Sequence, residues 1–308
     1  MKVSVIIPVY NEVDSIKELY DQLKESIEEY IPYEIIFVDD GSSDGSVEKI
    51  KKICELDNSI ILIQFHRNYG KSAALSEGFK YANGNYVVTM DADLQDDPSE
   101  IKNLINKLEE GYDLVSGWKK DRKDPLSKRL PSKLFNFVTR MFTGVRIHDF
   151  NCGLKIYKKS VIKTLELYGG RHRYIPAMAG QKKFKVTEII VNHRARIYGQ
   201  TKYGGSRLLH GLFDLISILF LSKYTQSPMY FFGKIGLITF LTGLGIEMYV
   251  LYLKYSLGDP FAKHMALLML GILIIVIGIQ FFSIGLVGEM IANSNQDKES
   301  RVKDSYKI

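Results

Sequence analysis

Three carboxylates follow an apolar run in the stretch Val87-Val88-Thr89-Met90-Asp91-Ala92-Asp93-Leu94-Gln95-Asp96. The run has turn-forming residues on both sides, which is typical of a buried strand. Carboxylates at the carboxyl end of a strand in an α/β sheet lie where such sheets bind ligands. Asp91 and Asp93 repel each other at this spacing unless a cation or water separates them. The stretch therefore indicates either a divalent-metal site that holds a diphosphate or a solvated acidic turn before the next helix.

Apolar runs alternate with amphipathic segments through the first 120 residues, and this alternation predicts a mostly parallel sheet with helices between its strands. The predicted strands are Val3–Val9, Tyr33–Val38, Ile60–Phe65, Tyr86–Met90 and Tyr112–Ser116. A further helix is predicted near Lys159–Tyr168. Because right-handed crossovers place strand ends on one edge, three polar loops should converge there: Tyr10-Asn11-Glu12, Asp39-Asp40-Gly41-Ser42 and Asp91-Ala92-Asp93.

The sequence also excludes several classes of protein. No G-x-G-x-x-G follows the first strand and no G-x-x-x-x-G-K-S/T occurs, which argues against a dinucleotide-dependent dehydrogenase and a P-loop NTPase. Two cysteines, Cys54 and Cys152, form no disulfide framework or metal-cluster spacing, and we expect reduced thiols. The net charge of +6 and the pI of about 9.0 suit nucleic acid, anionic lipid or phosphorylated substrates.

A basic segment, residues 119–146, carries nine Lys and Arg side chains against Asp121 and Asp124, with aromatic residues interleaved. It is either a helix with a solvated basic face or a phosphate-binding segment that faces a membrane. Because this segment occurs in a chain with membrane spans, lipid is a better partner than nucleic acid, and we expect no nucleic-acid binding.

The last quarter of the chain is dominated by apolar residues, and an apolar-heavy segment precedes it. Residues 206–230 predict amphipathic helices at a membrane interface, with a core helix of the soluble domain as the alternative. Two spans, at about residues 233–253 and 265–288, are long enough to cross a bilayer and form a hairpin within residues 231–291. Basic residues in the tail, residues 292–308, place it in the cytoplasm with the catalytic domain, residues 1–205. We therefore expect an integral protein of the cytoplasmic membrane with both termini cytoplasmic.

Several motifs together carry a family resemblance that covers essentially the whole chain. Those of the first domain are Val5-Ile6-Ile7-Pro8-Val9-Tyr10-Asn11-Glu12, Val38-Asp39-Asp40-Gly41-Ser42, Asn68-Tyr69-Gly70-Lys71 and Asp91-Ala92-Asp93-Leu94-Gln95-Asp96. They resemble inverting glycosyltransferases of family two, with the Rossmann-like GT-A fold. Asp149-Phe150-Asn151-Cys152-Gly153-Leu154-Lys155, the stretch from His193 to Lys202 and the two spans resemble the polyprenyl-phosphate glycosyltransferases. That group includes dolichyl-phosphate mannose synthases and bacterial undecaprenyl-phosphate glucosyltransferases.

The resemblance implies transfer of one hexose from a nucleotide diphosphate sugar to a polyprenyl monophosphate. Asp91 and Asp93 would hold Mg²⁺ or Mn²⁺, with Gln95 as a third ligand. The metal would neutralise the leaving diphosphate. The residues implied for donor binding are Pro8, Tyr10, Glu12, Asp39, Asp40, Ser42, Lys71, Arg196 and Lys202.

The acceptor implied by the resemblance is a phosphate, which is mostly ionised at neutral pH and needs little help from a base. Asp149 is therefore open between a general base and an orienting or structural role. Arg122, Arg129 and Ser132 are the candidates for the lipid phosphate. Two departures from the family pattern are Trp118-Lys119-Lys120, where relatives often carry an arginine, and Thr201, where they carry serine.

We expect UDP-glucose as the donor, on overall similarity. The alternatives are a GDP-mannose-dependent dolichyl-phosphate mannose synthase and a membrane-anchored glycosyltransferase that acts on a lipid-linked saccharide. A membrane scaffold without activity is the non-enzymatic alternative, and the intact Asp91 and Asp93 argue against it. The resemblance leaves a homotetramer open.

Overall fold

A computed structural model describes residues 2–27, 32–120, 132, 136–141, 143–194 and 227–294 of the 308-residue chain. The chain divides into two compact units, Met1–Leu219 and Phe220–Ile308. The first contains the sheet and the second contains the apolar helices. The boundaries at residues 205, 230 and 291 remain predictions.

The described part of the first unit contains a seven-stranded sheet in the order β3-β2-β1-β4-β6-β5-β7. Strands β1 to β4 are mutually parallel where they pair, whereas β6 runs antiparallel to β4 and β5, and β7 is parallel to β5. This is the α/β, mostly parallel architecture that the sequence predicts. The strands are β1 (Val3–Val9), β2 (Tyr33–Asp39), β3 (Ile60–Gln64), β4 (Tyr86–Thr89), β5 (Leu114–Trp118), β6 (Lys155–Lys158) and β7 (Val186–Ile190).

Six described helices of the first unit are α1 (Ile16–Ile27), α2 (Ser46–Leu56), α3 (Lys71–Tyr81), α4 (Glu100–Glu109), α5 (Lys159–Ile162) and α6 (Ile175–Gln181). Side chains of β1 alternate between the two faces of the sheet: Val5 and Ile7 pack in one core with α1, α2 and α4, and Ile6 packs in the other with α3 and α6. Burial on both faces explains the continuous apolar runs of the central strands.

Helix α4 illustrates how the sequence fixes a helix in this unit. Ile101, Leu104, Ile105 and Leu108 recur at a spacing of three and four residues, and all four are buried. Each such side chain stabilises the fold by about 1.5–3 kcal/mol when it is removed from water. The opposite face carries the polar residues.

Four elements in the second half of the first unit differ from the sequence prediction. Strands β6 and β7 were not predicted, and the predicted helix Lys159–Tyr168 ends at Ile162. It ends because Thr164 and Leu165 donate to carbonyls only three residues back, Val161 and Ile162, which tightens the chain into a turn. The fifth strand begins at Leu114 and extends to Trp118, two residues later than predicted at each end.

The second unit consists of helices α7 (Met229–Leu257) and α8 (Met265–Ser294), joined by a turn and a short 3₁₀ helix, Phe261–His264. Both helices are long and apolar enough to cross a membrane, with mean hydropathies of 1.6 and 2.7 over Met229–Leu257 and Phe261–Ala292. Glycines let their backbones approach closely: a Cβ atom at Gly278 would lie 2.7 Å from the Phe240 nitrogen. The predicted hairpin of two apolar helices is confirmed.

Candidate active site

Three polar loops follow the same ends of three adjacent parallel strands, β1, β2 and β4. Val9 pairs with Asp39 in the register, and Ile6 pairs with Thr89. The first two loops interlock: the Asn11 nitrogen donates to Ser42 Oγ at 2.9 Å, and the Ser43 nitrogen donates to Asn11 Oδ1 at 2.8 Å. Asn11 has a φ of 52°, a left-handed conformation that asparagine tolerates. The loops therefore form a fixed rim at the carboxyl edge of the sheet.

The predicted nucleoside-binding residues lie along this rim. Pro8 is partly buried in β1 opposite Val38, and Tyr10 is exposed. The Glu12 nitrogen donates to Ser46 Oγ at 3.1 Å, which fixes the end of the loop to the start of α2. Tyr10 is thus an exposed aromatic ring on a fixed backbone.

The two neighbouring carboxylates Asp39 and Asp40 are both buried, but they have different partners. Asp40 accepts hydrogen bonds from the Tyr69 and Gly70 nitrogens at 2.6 and 2.9 Å. Burial raises the pKa of Asp40 even though these two donors lower it. Asp39 Oδ2 accepts from the Gly41 and Ser42 nitrogens, whereas its Oδ1 is buried without a hydrogen-bond partner among the described residues. Asp39 therefore offers an acceptor for a ligand, while Asp40 holds the loop before α3.

Asp91 follows β4 and forms an ion pair with Lys71, the first residue of α3. Burial alone would raise the pKa of Asp91, but the charges of Lys71 and Lys119 lower it to about 2. A Cβ atom at Gly153 would lie 2.6 Å from Asp91 Oδ2, so only glycine leaves room for this carboxylate. Asp91 is thus ionised beside a lysine cation at the carboxyl end of the sheet.

Asp93 and Gln95 lie in the turn that follows, and both are partly exposed. The Gln95 nitrogen donates to Asp93 Oδ1 at 3.2 Å, and the buried Leu94 between them has a φ of 60°. Among the described residues no group of three or more His, Cys, Asp or Glu side chains could hold a metal ion by itself. Two carboxylates nevertheless suit Mg²⁺ or Mn²⁺, because these ions are completed by water and substrate phosphates.

An ion pair between two largely buried side chains, Lys119 and Asp96, supports the turn that contains Asp91, Asp93 and Gln95. Lys119 Nζ lies 2.7 Å from Asp96 Oδ1, and Asp96 Oδ2 accepts from the Asp91 nitrogen at 3.4 Å. Burial would lower the pKa of Lys119, but Asp96 and Asp91 raise it. The Arg194 nitrogen also donates to the Gln95 carbonyl at 3.0 Å. Lys119 was not predicted as a site residue, because its partner Asp96 is 23 positions away in the sequence.

Asp149 is buried, and its Oδ1 accepts from the Asn151 nitrogen at 3.0 Å within its own loop. Ser132 is partly buried. The other predicted cationic residues, Arg122, Arg129, Arg196 and Lys202, lie outside the described residues, as do most of the predicted interface helices.

A cavity of about 110 Å³ adjoins Asp91. Its lining includes Lys71 from α3 together with residues that the sequence analysis did not name as site residues: Leu75, Thr89, Asn151, Cys152, Gly153, Lys155, Tyr157, His172, Arg173 and Ile175. The basic run Arg171-His172-Arg173 and the glycine next to Cys152 were the available sequence signals. The site thus has a second, cationic compartment next to the acidic turn.

Comparison with solved structures supports the fold. Glucosyl-3-phosphoglycerate synthase from Mycobacterium tuberculosis, in complex with Mn²⁺, UDP-glucose and phosphoglyceric acid, has a TM-score of 0.58 at 17% identity, over 71% of this chain and 79% of that one. Mannosyl-3-phosphoglycerate synthase from Rubrobacter xylanophilus also has a TM-score of 0.58, at 15% identity, over 71% and 74% of the two chains.

Sequence comparison identifies the family. Residues 4–166 match the family model of glycosyl transferase family 2. The chain is 35% identical over 300 residues to a dodecaprenyl-phosphate galacturonate synthase from Rhizobium johnstonii, covering 96% of this chain and 88% of the relative. It is also 35% identical over 302 residues to an undecaprenyl-phosphate 4-deoxy-4-formamido-L-arabinose transferase from Salmonella choleraesuis, covering 97% and 91%. The chain is therefore a glycosyltransferase that belongs to glycosyl transferase family 2.

Proposed function

We propose that this enzyme transfers a single sugar from a nucleotide diphosphate sugar to a polyprenyl monophosphate. The observation that carries the proposal is the ionised Asp91 beside Lys71 at the carboxyl end of β4, where a donor diphosphate and its metal would bind. The two relatives reported above are both named for polyprenyl-phosphate acceptors and match nearly the full length of the chain. These names support the acceptor class.

Asp91 and Asp93 would hold Mg²⁺ or Mn²⁺, and Gln95 would complete the protein ligands. When bound there, the ion would supply positive charge that stabilises the diphosphate as it leaves. Lys71 contacts the carboxylate that the metal would bind, so it would turn to the diphosphate when the metal is present. The Mn²⁺ and UDP-glucose of the Mycobacterium tuberculosis structure support this assignment through the shared fold.

The nucleoside would bind across the rim. The Oδ1 atom of Asp39, which has no hydrogen-bond partner among the described residues, would accept a hydrogen bond from the base or the ribose, and the exposed Tyr10 ring would pack on the base. Pro8, Glu12 and Ser42 would shape the pocket. The two backbone nitrogens that bind Asp40 support a role for that carboxylate in holding the loop.

The acceptor phosphate would attack without strong base catalysis, because its second ionisation lies near pH 6. Asp149 is buried and accepts a hydrogen bond from its own loop, which favours the orienting role. Arg122, Arg129 and Ser132 remain our proposal for the lipid phosphate, and Arg196 and Lys202 remain our proposal for the donor diphosphate.

The proposed location is the cytoplasmic face of the membrane, with the apolar helices α7 and α8 as its anchor. Their length and hydropathy support a membrane protein. Protease digestion of sealed, right-side-out vesicles tests the orientation: both termini should be protected until the vesicles are opened. A homotetramer is a further proposal that the mass in native mass spectrometry would decide.

The test of the function uses the purified full-length protein, a short polyprenyl phosphate, and UDP- or GDP-sugars with Mn²⁺, Mg²⁺ or EDTA. We expect a lipid product with one added sugar from a UDP-hexose, and no product with EDTA. The matched control acceptor is the same polyprenol without its phosphate, which should remain unmodified. Transfer only from GDP-mannose, or only to lipid-linked saccharides, would contradict the proposal in favour of the two alternatives.

A further inference from the structure

The cavity beside Asp91 is small and chemically distinctive. Its volume of about 110 Å³ is well below the roughly 300 Å³ of a typical small-molecule pocket, so it can take only part of a nucleotide sugar. Thr89 Oγ1 and the Tyr157 hydroxyl lie 3.1 Å apart among its lining residues. Because Asp91 lines one wall, whatever enters the cavity lies next to the proposed diphosphate site.

The lining carries more positive than negative charge. Lys71, Lys155 and Arg173 line it, against the single carboxylate of Asp91. Lys155 is buried, and its ammonium donates to the carbonyl oxygen of Cys152 instead of to a carboxylate. Arg173 forms no hydrogen bond or ion pair with any carboxylate among the described residues. Burial lowers the pKa of Lys155, while the charges of Asp149 and Asp91 raise it. The cavity therefore has two basic side chains, Lys155 and Arg173, that donate no hydrogen bond to a carboxylate among the described residues.

The neighbouring histidine agrees with this charge distribution. His172 Nδ1 lies 2.9 Å from Ser72 Oγ, and the ring lines the cavity. Burial lowers the pKa of His172 well below its usual value, and Lys71 and Arg173 lower it further. His172 is thus neutral at pH 7, and the positive charge of the cavity comes from the lysines and the arginine.

A buried acceptor distinguishes among anionic ligands. Asn151 Oδ1 is buried and has no hydrogen-bond partner in the described part of the chain. A fully ionised phosphate offers only acceptors and would leave this oxygen without a donor. A sugar that carries a carboxylate offers hydroxyl donors as well as a pair of oxygens suited to an arginine fork.

We propose that this cavity binds the carboxylate of a hexuronic acid donor, with Arg173 and Lys155 as its cationic partners and Asn151 as the acceptor for a ring hydroxyl. The inference rests on the proposed function and narrows its donor, because it replaces the glucose expected from the sequence with a uronic acid. A carboxylate and a phosphate are both oxyanions that these side chains can bind. The competing ligand for the cavity is therefore the phosphate of the lipid acceptor.

The experiment compares UDP-galacturonate and UDP-glucuronate with UDP-galactose and UDP-glucose as donors for the full-length enzyme, with Mn²⁺ and a short polyprenyl phosphate. We expect a higher kcat/KM for a uronate than for its neutral partner. Arg173→Gln should lower the ratio of kcat/KM for the uronate to kcat/KM for its neutral partner about tenfold or more, because a hydrogen bond to a charged group is lost. Arg173→Lys keeps the positive charge and should retain part of the preference for the uronate.

Arg171→Gln is the matched control, since Arg171 packs over the Tyr168 ring three residues earlier and does not line the cavity. It should leave the ratio unchanged. The unfolding temperature, followed by fluorescence of the single Trp118, shows whether each variant is folded.

Three results would overturn the assignment. Neutral sugars preferred by the wild type, with a ratio insensitive to Arg173→Gln, would exclude the carboxylate site while leaving the glycosyltransferase function intact. A rise in the KM for the polyprenyl phosphate that is equal for all donors would assign the oxyanion to the acceptor. If no sugar is transferred, the proposed function fails, and calorimetry then tests the carboxylate site separately. Equal Kd values for UDP-galacturonate and UDP-galactose would exclude a carboxylate site in the cavity.

Discussion

Two acidic loops of this enzyme lie at the ends of parallel strands of one sheet, yet their carboxylates have different kinds of partner. The first loop begins with Asp39 and Asp40 at the end of β2, and both carboxylates accept hydrogen bonds from backbone nitrogens, which cannot move away. The second loop, Asp91–Asp93 after β4, pairs Asp91 with a lysine side chain, which can. The difference teaches that a carboxylate bound by backbone nitrogens stabilises its loop. A carboxylate paired with a mobile lysine side chain can instead exchange that cation for a metal ion.

The largest effect should come from Asp91→Asn, which keeps the shape of the side chain and removes its charge. We expect the rate of sugar transfer to fall by about 10²–10³-fold or more, because the charge that places the metal and the diphosphate is lost. The measurement is kcat with saturating donor and Mn²⁺. Asp14→Asn, at an exposed position, is the control. Activity within threefold of wild type would mean that the two loops do not differ as we infer.

Gly153→Ala should have the next largest effect, because its new methyl group would meet the Asp91 carboxylate at 2.6 Å. We expect about a hundredfold loss of activity, the size expected when a group at the reacting centre is misplaced by an ångström. Gly169→Ala changes a glycine with open space around it in the same unit and is a control for stability, although its φ of 55° adds some strain. Activity of Gly153→Ala close to that of the wild type would contradict the close approach.

Asp39→Asn tests the open oxygen of the first loop. The amide oxygen can still accept from the Gly41 and Ser42 nitrogens, while the NH₂ group replaces the open acceptor. We expect the KM for the nucleotide sugar to rise about tenfold, because one hydrogen bond to a charged group is lost. The kcat should change little. A fall in kcat at constant KM would indicate that Asp39 acts on the transition state and not on the nucleoside.

Asp40→Ala should act on stability, because it leaves the Tyr69 and Gly70 nitrogens without an acceptor. The free energy of unfolding should fall by about 1–3 kcal/mol. Chemical denaturation followed by Trp118 fluorescence measures it, with Asp14→Ala as the exposed control. Unchanged stability together with a large loss of activity would assign Asp40 to the donor instead.

The sequence predicted the parallel half of the sheet well, because β1, β2 and β4 are apolar runs buried on both faces and the apolar edge strand β3 is partly buried. It did not predict β6, since Lys155 and Lys158 enclose only Ile156 and Tyr157, and a lysine is normally exposed. Lys155 is buried there because its ammonium reaches the Cys152 carbonyl. Local patterns cannot reveal such a contact, which depends on the antiparallel pairing of β6 with β4 and β5.

The residues of the candidate site also fall into those that the sequence could predict and those that it could not. Asp91, Asp93 and Asp39 were predictable because each follows a strand that is itself predictable. Lys119 and Arg173 were not, because their place is set by elements far apart in the sequence. In the stretch Trp118-Lys119-Lys120, where relatives often carry an arginine, the largely buried Lys119 pairs with Asp96 beside the acidic turn.

The smallest expected effect is a difference in pH dependence, measured on the metal-free protein between about pH 5 and pH 2. The pKa of Asp91 is lowered to about 2, so its contribution to stability is present above the unfolded pKa of about 3.9 and is lost as the pH falls towards 2. The pKa of Asp40 is raised, so its effect on stability has the opposite sign and the folded state gains as the pH falls. The stability difference between wild type and Asp91→Asn should therefore shrink on acidification, whereas that between wild type and Asp40→Asn should move in favour of wild type. Slopes of the same sign for both variants would contradict the contrast between the two loops.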